Sequence, residues 1–222
     1  MKIHIIGNSH VSIFSGSSSI LPQYPHKSIY NVPNSHIEFH VYHIGPTIAY
    51  NFYEHHYPRV LDIVYNNIDV NKKEDEYILL VVGEVDCRWH IPKQASIQNK
   101  NSNTIVDECV DRFFRTVIDL KSKGYKCICW GGHPSTNSGH NDDQNCPVFG
   151  DIIERNKITK YFETKCKEKC EQNDVYFISI VDKLMNEDGT TNMNFFIDYC
   201  HLNHSLILND IIDLLKDKIK YN

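Results

Sequence analysis

Three side chains near the two ends of the chain have the types needed to activate a hydroxyl group. Ser9 closes Lys2-Ile3-His4-Ile5-Ile6-Gly7-Asn8-Ser9-His10, where an apolar run stops on a small polar turn. Asp198 and His201 stand near the other end, in Phe196-Ile197-Asp198-Tyr199-Cys200-His201-Leu202-Asn203. A carboxylate three residues ahead of a histidine is able to hold one ring nitrogen and leave the other to take a serine's proton. Each piece also has a plainer reading. Serine is a favoured helix N-cap, so Ser9 equally suits the start of the next helix, and Asp198 and His201 suit a helix entry as ordinary polar residues.

The elements around them decide whether such chemistry has a place. Lys2–Gly7 is short, β-branched and bounded by Gly7 and Asn8, which suits a central strand of a parallel sheet. In open α/β sheets the loop leaving the carboxyl end of such a strand is where ligands bind. Residues 37–44 alternate as a second strand ending at Gly45-Pro46-Thr47, and Tyr77–Val82, apolar on both faces, is a third ending at Gly83-Glu84-Val85-Asp86-Cys87-Arg88. Lys126–Trp130 is a fourth, ending at Gly131-Gly132-His133-Pro134, and residues 175–180 are a fifth. Helices are expected from Thr47, over about 59–68, along the stripe Val106, Cys109, Val110, Phe113, Phe114 and Val117 that Gly124 stops, over 151–172, and after Asn203. Loops are expected over 11–33, over 71–76 as an exposed charged turn, over 92–103, and over 135–144 as a mobile polar segment. Ser15-Gly16-Ser17-Ser18-Ser19 lacks the lysine and flanking glycines of a phosphate-binding loop. Strand and helix alternate five times, which predicts a three-layer α/β/α domain with a five-stranded parallel, flavodoxin-like sheet and every strand's carboxyl end on one side.

The 222 residues suit one domain over 1–222, and a formal charge of −5 offers no basic stripe for a nucleic-acid partner. The amino-terminal apolar run is too short for a signal-peptide core, and no stretch approaches membrane-spanning length, so a soluble, cytoplasmic protein without a membrane partner is expected. Among the eight cysteines, Cys127 and Cys129 alternate along one strand and Cys166 and Cys170 lie one helical turn apart, the pattern of buried thiols rather than of a zinc site. The thirteen histidines include His36, His40, His43 and the pair His55-His56, but no His-Glu-x-x-His. No metal and no cofactor are expected.

A Gly-x-Ser after the first strand, a glycine after the second, a Gly-led polar box after the third and Asp-x-x-His before the last helix, in that order from Gly7 to His201, resemble the SGNH (GDSL-like) hydrolase superfamily. The resemblance implies an SGNH-type sheet, with Ser9 as nucleophile, His201 as general base and then acid, and Asp198 orienting His201. It also implies an oxyanion hole from the backbone N–H groups of Ser9 and Gly45, where loss of one donor costs about 3 kcal/mol of transition-state stabilisation. The third block departs from the usual Gly-x-Asn, because Val85 has no donor to offer. Gly83-Glu84-Val85-Asp86 is closer to the Gln-Gly-Glu-x-Asp of superfamily members acting on acetylated sugars, with Val82 in place of the glutamine. The first block likewise reads Gly7-Asn8-Ser9-His10 rather than Gly-Asp-Ser.

Arg88 has fixed donors and a permanent charge; it either binds an oxyanion or a substrate carboxylate, or is tethered by Glu84 and Asp86 as part of a stiff loop. His10 either lines the site or follows the turn. His133 and Trp130 end the fourth strand beside the site, where an aromatic face is able to stack on a sugar or acyl group, although core packing also suits Trp130. The expected function is a serine esterase removing acyl groups, acetyl among them, from a carbohydrate or other small polar ester through an acyl-Ser9 intermediate. An O-acyltransferase acting on a sugar, an inactive protein that binds a glycan at the same edge, and metal-dependent hydrolysis are the alternatives.

Overall fold

A strand without a polar face must find partners on both edges and cover on both faces. The run Lys2–Gly7 (β1) is buried from Ile3 to Gly7 and pairs in parallel with Glu38–His43 (β3) on one edge and Glu76–Val81 (β4) on the other. This arrangement comes from a computed structural model, which describes residues 1–69, 75–137 and 147–219. Lys126–Trp130 (β5) and Tyr176–Ile178 (β6) continue in parallel beyond β4. The register sets Gly7 level with His43 and with Val81, so the loops after β1, β3 and β4 leave the sheet side by side.

Five parallel strands are therefore present, and a sixth corrects the sequence reading. Ser28–Asn31 (β2) pairs antiparallel with β3 at the sheet edge, giving the order β2-β3-β1-β4-β5-β6. Its four residues alternate half-buried and exposed among prolines, too short a pattern to stand out from a loop.

Cover follows from the alternation of side chains. Ile6, Tyr42, Ile78, Leu80, Cys127 and Cys129 face Tyr57–Asn67 (α1), Ile91–Gln98 (α2), Ser102–Ser122 (α3) and Ile152–Gln172 (α4). Ile3, Ile5, Phe39, Val41, Leu79 and Ile128 face His204–Lys218 (α5) and the short helical turn Ser9–Phe14. The apolar stripe of α3 is buried from Ile105 to Leu120, and Gly124 follows its end with φ +83°.

Three further expectations need correction. The helix expected from Thr47 is a tight turn, Ala49–Asn51, and a widened one, Phe52–His56, that run directly into α1. The polar loop expected over 92–103 contains α2. Proline is tolerated in a first helical turn, and only Ile91, Pro92 and Ala95 of this helix are buried, too few for a visible stripe. Ser135 and Thr136, expected in a mobile segment, are buried. Arg155 binds Ser135 Oγ at 3.1 Å and Thr136 O at 2.8 Å, and Asn156 Oδ1 accepts the Ser135 N–H at 3.1 Å. The rest of that segment from residue 138, and residues 71–74 of the expected charged turn, lie outside the described residues.

The seven cysteines among the described residues are buried free thiols. No helix among the described residues is long and apolar enough to cross a membrane.

Candidate active site

The first loop is shaped by a close approach of two strands. A Cβ on Gly7 would stand 2.0 Å from the Val81 carbonyl oxygen, so only glycine lets β1 pass β4 here. The chain then turns on Asn8, not Ser9: Asn8 Oδ1 accepts the His10 N–H and Asn8 Nδ2 donates to Thr47 O, both at 3.2 Å. With the cap supplied by its neighbour, the Ser9 hydroxyl is left to face the other end of the chain.

That end is a tight loop ahead of α5, whose N-cap is Asn203. Asp198 Oδ1 accepts the N–H groups of Cys200 and His201 at 2.8 and 2.7 Å, and Asp198 Oδ2 meets His201 Nδ1 at 2.8 Å. His201 Nε2 lies 2.8 Å from Ser9 Oγ. Burial works against the Asp198 charge, but these three donors outweigh it and hold the carboxyl below its ordinary range. An ionised Asp198 accepts a hydrogen bond from His201 Nδ1–H, which keeps the ring proton on Nδ1 and leaves the Nε2 lone pair toward the serine hydroxyl. Ser9, His201 and Asp198 thus form one hydrogen-bonded series.

The third loop braces the first two. Glu84 Oε2 accepts from His10 Nε2 at 3.0 Å, and Glu84 Oε1 accepts from Arg88 Nε at 2.7 Å. Burial alone would raise the Glu84 pKa; the Arg88 charge and the His10 bond reverse this and hold it well below the carboxylate range. Arg88 also donates to Pro147 O at 2.5 Å while lining the cavity. Asp86, two residues on, accepts the N–H groups of Ala49 and Tyr50 at 2.7 and 3.2 Å and the Cys109 thiol at 3.4 Å. One carboxylate grips the loop after β1, the other the loop after β3. Gly83 precedes them with φ +107°, and a Cβ there would lie 2.7 Å from the Phe162 ring of α4.

Beneath His201, the ring of His10 lies 5.0 Å from the His201 ring and 4.4 Å edge-on from the His133 ring. Burial, and after it the Glu84 bond acting the other way, leaves the His10 pKa lowered. His133 donates from Nε2 to Cys200 O at 3.2 Å, tying the end of β5 to the loop of His201. Burial and the neighbouring His10 push its pKa down to about 3.

A cavity of about 380 Å³ opens over Ser9 and His201. Asn8, His10, Val85, Arg88 and Cys200 also line it. Gly45, at φ +89°, sits against Gln23, whose Oε1 would lie 2.8 Å from an added Cβ; Gln23, Pro46 and Thr47 form the wall there. Trp130 is elsewhere. Its ring is buried and edge-on to Phe14 at 6.0 Å, because the alternation of β5 sends it with Ile128 into the layer under α5. The sequence reading missed Gln23, His43 and Thr47 as cavity residues. His43 was within reach of it, being the strand residue just before Ile44-Gly45. Gln23 arrives only through its bridge to His43. Among the described residues, one group carries metal-ligand chemistry: Asp198, Cys200 and His201.

No family model and no curated protein matches the chain. Solved structures do match over nearly its whole length. Axe2, an acetylxylan esterase from Geobacillus stearothermophilus, is 13% identical with a TM-score of 0.54, over 100% of this chain and 94% of that one. The acetyl xylan esterase AlAXEase is 12% identical with a TM-score of 0.55, over 99% and 100%. A GDSL-like lipase from Bacteroides thetaiotaomicron is 12% identical with a TM-score of 0.57, over 98% and 88%. Identity this low speaks for architecture alone: the chain shares the fold of these acetylxylan esterases and of this GDSL-like lipase.

Proposed function

We propose that the chain is a serine esterase that removes acyl groups, acetyl among them, from a carbohydrate or other small polar ester through an acyl-Ser9 intermediate. The observation that carries this reading is the series Ser9 Oγ, His201 Nε2, His201 Nδ1 and Asp198 Oδ2, with both contacts at 2.8 Å, under an open cavity. His201 takes the Ser9 proton as Oγ attacks the ester carbonyl, and Asp198 stabilises the imidazolium that forms. In this reading the negative charge that develops on the carbonyl oxygen is assigned to the backbone N–H groups of Ser9, which lines the cavity, and of Gly45, which stands beside its Pro46 wall. Collapse of the tetrahedral adduct breaks the C–O bond, and His201 returns its proton to the leaving alkoxide. A water, deprotonated by the same nitrogen, then attacks the acyl-Ser9 carbonyl; this second adduct collapses with cleavage of the C–Oγ bond, His201 returns the proton to Ser9 Oγ, and the carboxylic acid leaves.

Asn8, Gln23, Thr47 and Arg88, among the cavity's residues, offer hydrogen-bond partners to a hydroxyl-rich leaving group. The fold shared with two acetylxylan esterases points the same way. The test is covalent labelling with a fluorophosphonate, read by intact mass, for wild type, Ser9→Ala and His201→Ala. One adduct on wild type and none on either variant is expected, followed by acetate release from acetylated xylooligosaccharides. A folded wild type that takes no adduct would refute the mechanism and leave a ligand-binding protein.

A further inference from the structure

We infer that Asp198, Cys200 and His201 also form a binding site for a thiophilic divalent ion, zinc first of all, and that its occupancy switches the serine off. The second half rests on the esterase reading above; the first does not.

Six of the seven described cysteines are packed in the apolar layer between the sheet and α1 to α4. Cys200 is placed differently. It lines the cavity with Ser9 and His201, and its Sγ faces His201 Nδ1 at 3.4 Å. Asp198 Oδ2 lies 2.8 Å from the same nitrogen, and the three ligand atoms are all within 4.8 Å of one another. Tetrahedral zinc with bonds of about 2.3 Å to sulfur and about 2.0 to 2.1 Å to nitrogen and oxygen separates its ligand atoms by about 3.3 to 3.6 Å. The sulfur–nitrogen distance already falls there, while Oδ2, now 2.8 Å from that nitrogen on the side the ion would take and within 4.8 Å of the sulfur, has to swing aside to admit it. The loop is built to keep its shape while this happens. Asp198 Oδ1 alone holds the backbone N–H groups of Cys200 and His201, so Oδ2 is able to change partner without releasing the turn.

The protons balance as follows. Cys200 loses its thiol proton to solvent and binds as thiolate, and Asp198 binds as carboxylate, so two anions match the dication. His201 binds through Nδ1, and its single ring proton moves to Nε2. That nitrogen then donates to Ser9 Oγ where it formerly accepted, and no base remains to take the serine proton. Water completes the coordination. The ion proposed here would act as an inhibitor, not as a cofactor, and departs from the expectation drawn from the sequence that no metal is bound. Asp-x-Cys-His was hidden because ligand spacing was sought among the cysteines and histidines separately.

The experiment uses the full chain and two readouts. Cobalt(II), a spectroscopic stand-in for zinc, is titrated into wild type, Cys200→Ser and Cys200→Ala, and the thiolate-to-cobalt charge-transfer absorption is followed. Fluorophosphonate labelling of each protein is then measured with zinc against its own rate in chelator. One cobalt per wild-type chain with a charge-transfer band is expected, absent in both variants. Zinc is expected to suppress wild-type labelling reversibly, with the variants needing on the order of 100-fold more, the upper end of what losing even an outer-shell partner costs a site. An equal band or equal zinc sensitivity in the variants would overturn the proposal, as would cobalt binding that leaves wild-type labelling untouched. If wild type takes no label in chelator, the esterase reading fails, and the cobalt spectrum still decides the ion site.

Discussion

Asp86 is fully buried, and its two oxygens take the N–H groups of Ala49 and Tyr50. Burial disfavours its charge by more than these donors favour it, which raises its pKa from 3.8 to about 6. Asp86→Asn keeps the size and one acceptor and removes the titration. Between the two values, the folded wild type binds a proton that the unfolded chain does not. This contribution to stability is complete below about pH 4 and is lost as the pH rises through about 6. A shift of about two units corresponds to about 3 kcal/mol, of which about 2 kcal/mol is crossed between pH 4.5 and 7.5. The unfolding free energy of wild type should therefore fall by about 2 kcal/mol relative to Asp86→Asn over that interval, measured by urea denaturation of both proteins. His4 and His133, whose pKa values burial lowers to about 4 and about 3, destabilise both proteins at acid pH and cancel in the difference. A gap that stays flat across this range would mean that the Ala49 and Tyr50 donors keep Asp86 ionised in the folded chain, and the argument from burial would be wrong.

Asp198→Asn retains an acceptor for the Cys200 and His201 N–H groups but favours the wrong His201 tautomer. Ser9 labelling should drop on the order of 10⁴-fold with little change in the urea midpoint, and a drop under tenfold would remove Asp198 from the mechanism. Val85 lines the cavity where the third block lacks a donor, so Val85→Asn should raise kcat on an aryl acetate by up to roughly 10²-fold. No gain from a folded variant would place the developing oxyanion away from residue 85. Glu84→Ala strands the buried Arg88 and His10 and should cost about 3–5 kcal/mol of unfolding free energy. A cost below about 1 kcal/mol would show that Arg88 and His10 find other partners.

What could be read from the sequence was what is local. β1, β4 and β5 were visible because an apolar run of strand length, closed by glycine, has few other ways to be buried, and α3 because six apolar residues from Val106 to Val117 recur at helical spacing. β2 and α2 escaped because each buries too little to leave a period, and Trp130 stayed open between site and core because the last residue of a strand points to whichever face its alternation dictates, here the core. The types that make up the chemistry were equally local: a serine after a glycine turn, and an acid three residues before a histidine. That Ser9 Oγ and His201 Nε2 meet across 192 residues was settled by the packing of α5 in one layer with β1 and by the tie from His133 at the end of β5 to the Cys200 carbonyl. The division of labour between Glu84 and Asp86 was settled there too, since neighbours two apart in sequence reach opposite loops only once those loops stand on either side of them. So was the place of Cys200, one residue from His201 yet facing its ring. Periodicity and turn chemistry act over a few residues and are written in the chain; contacts between loops depend on which strands are neighbours, and only the assembled sheet supplies that.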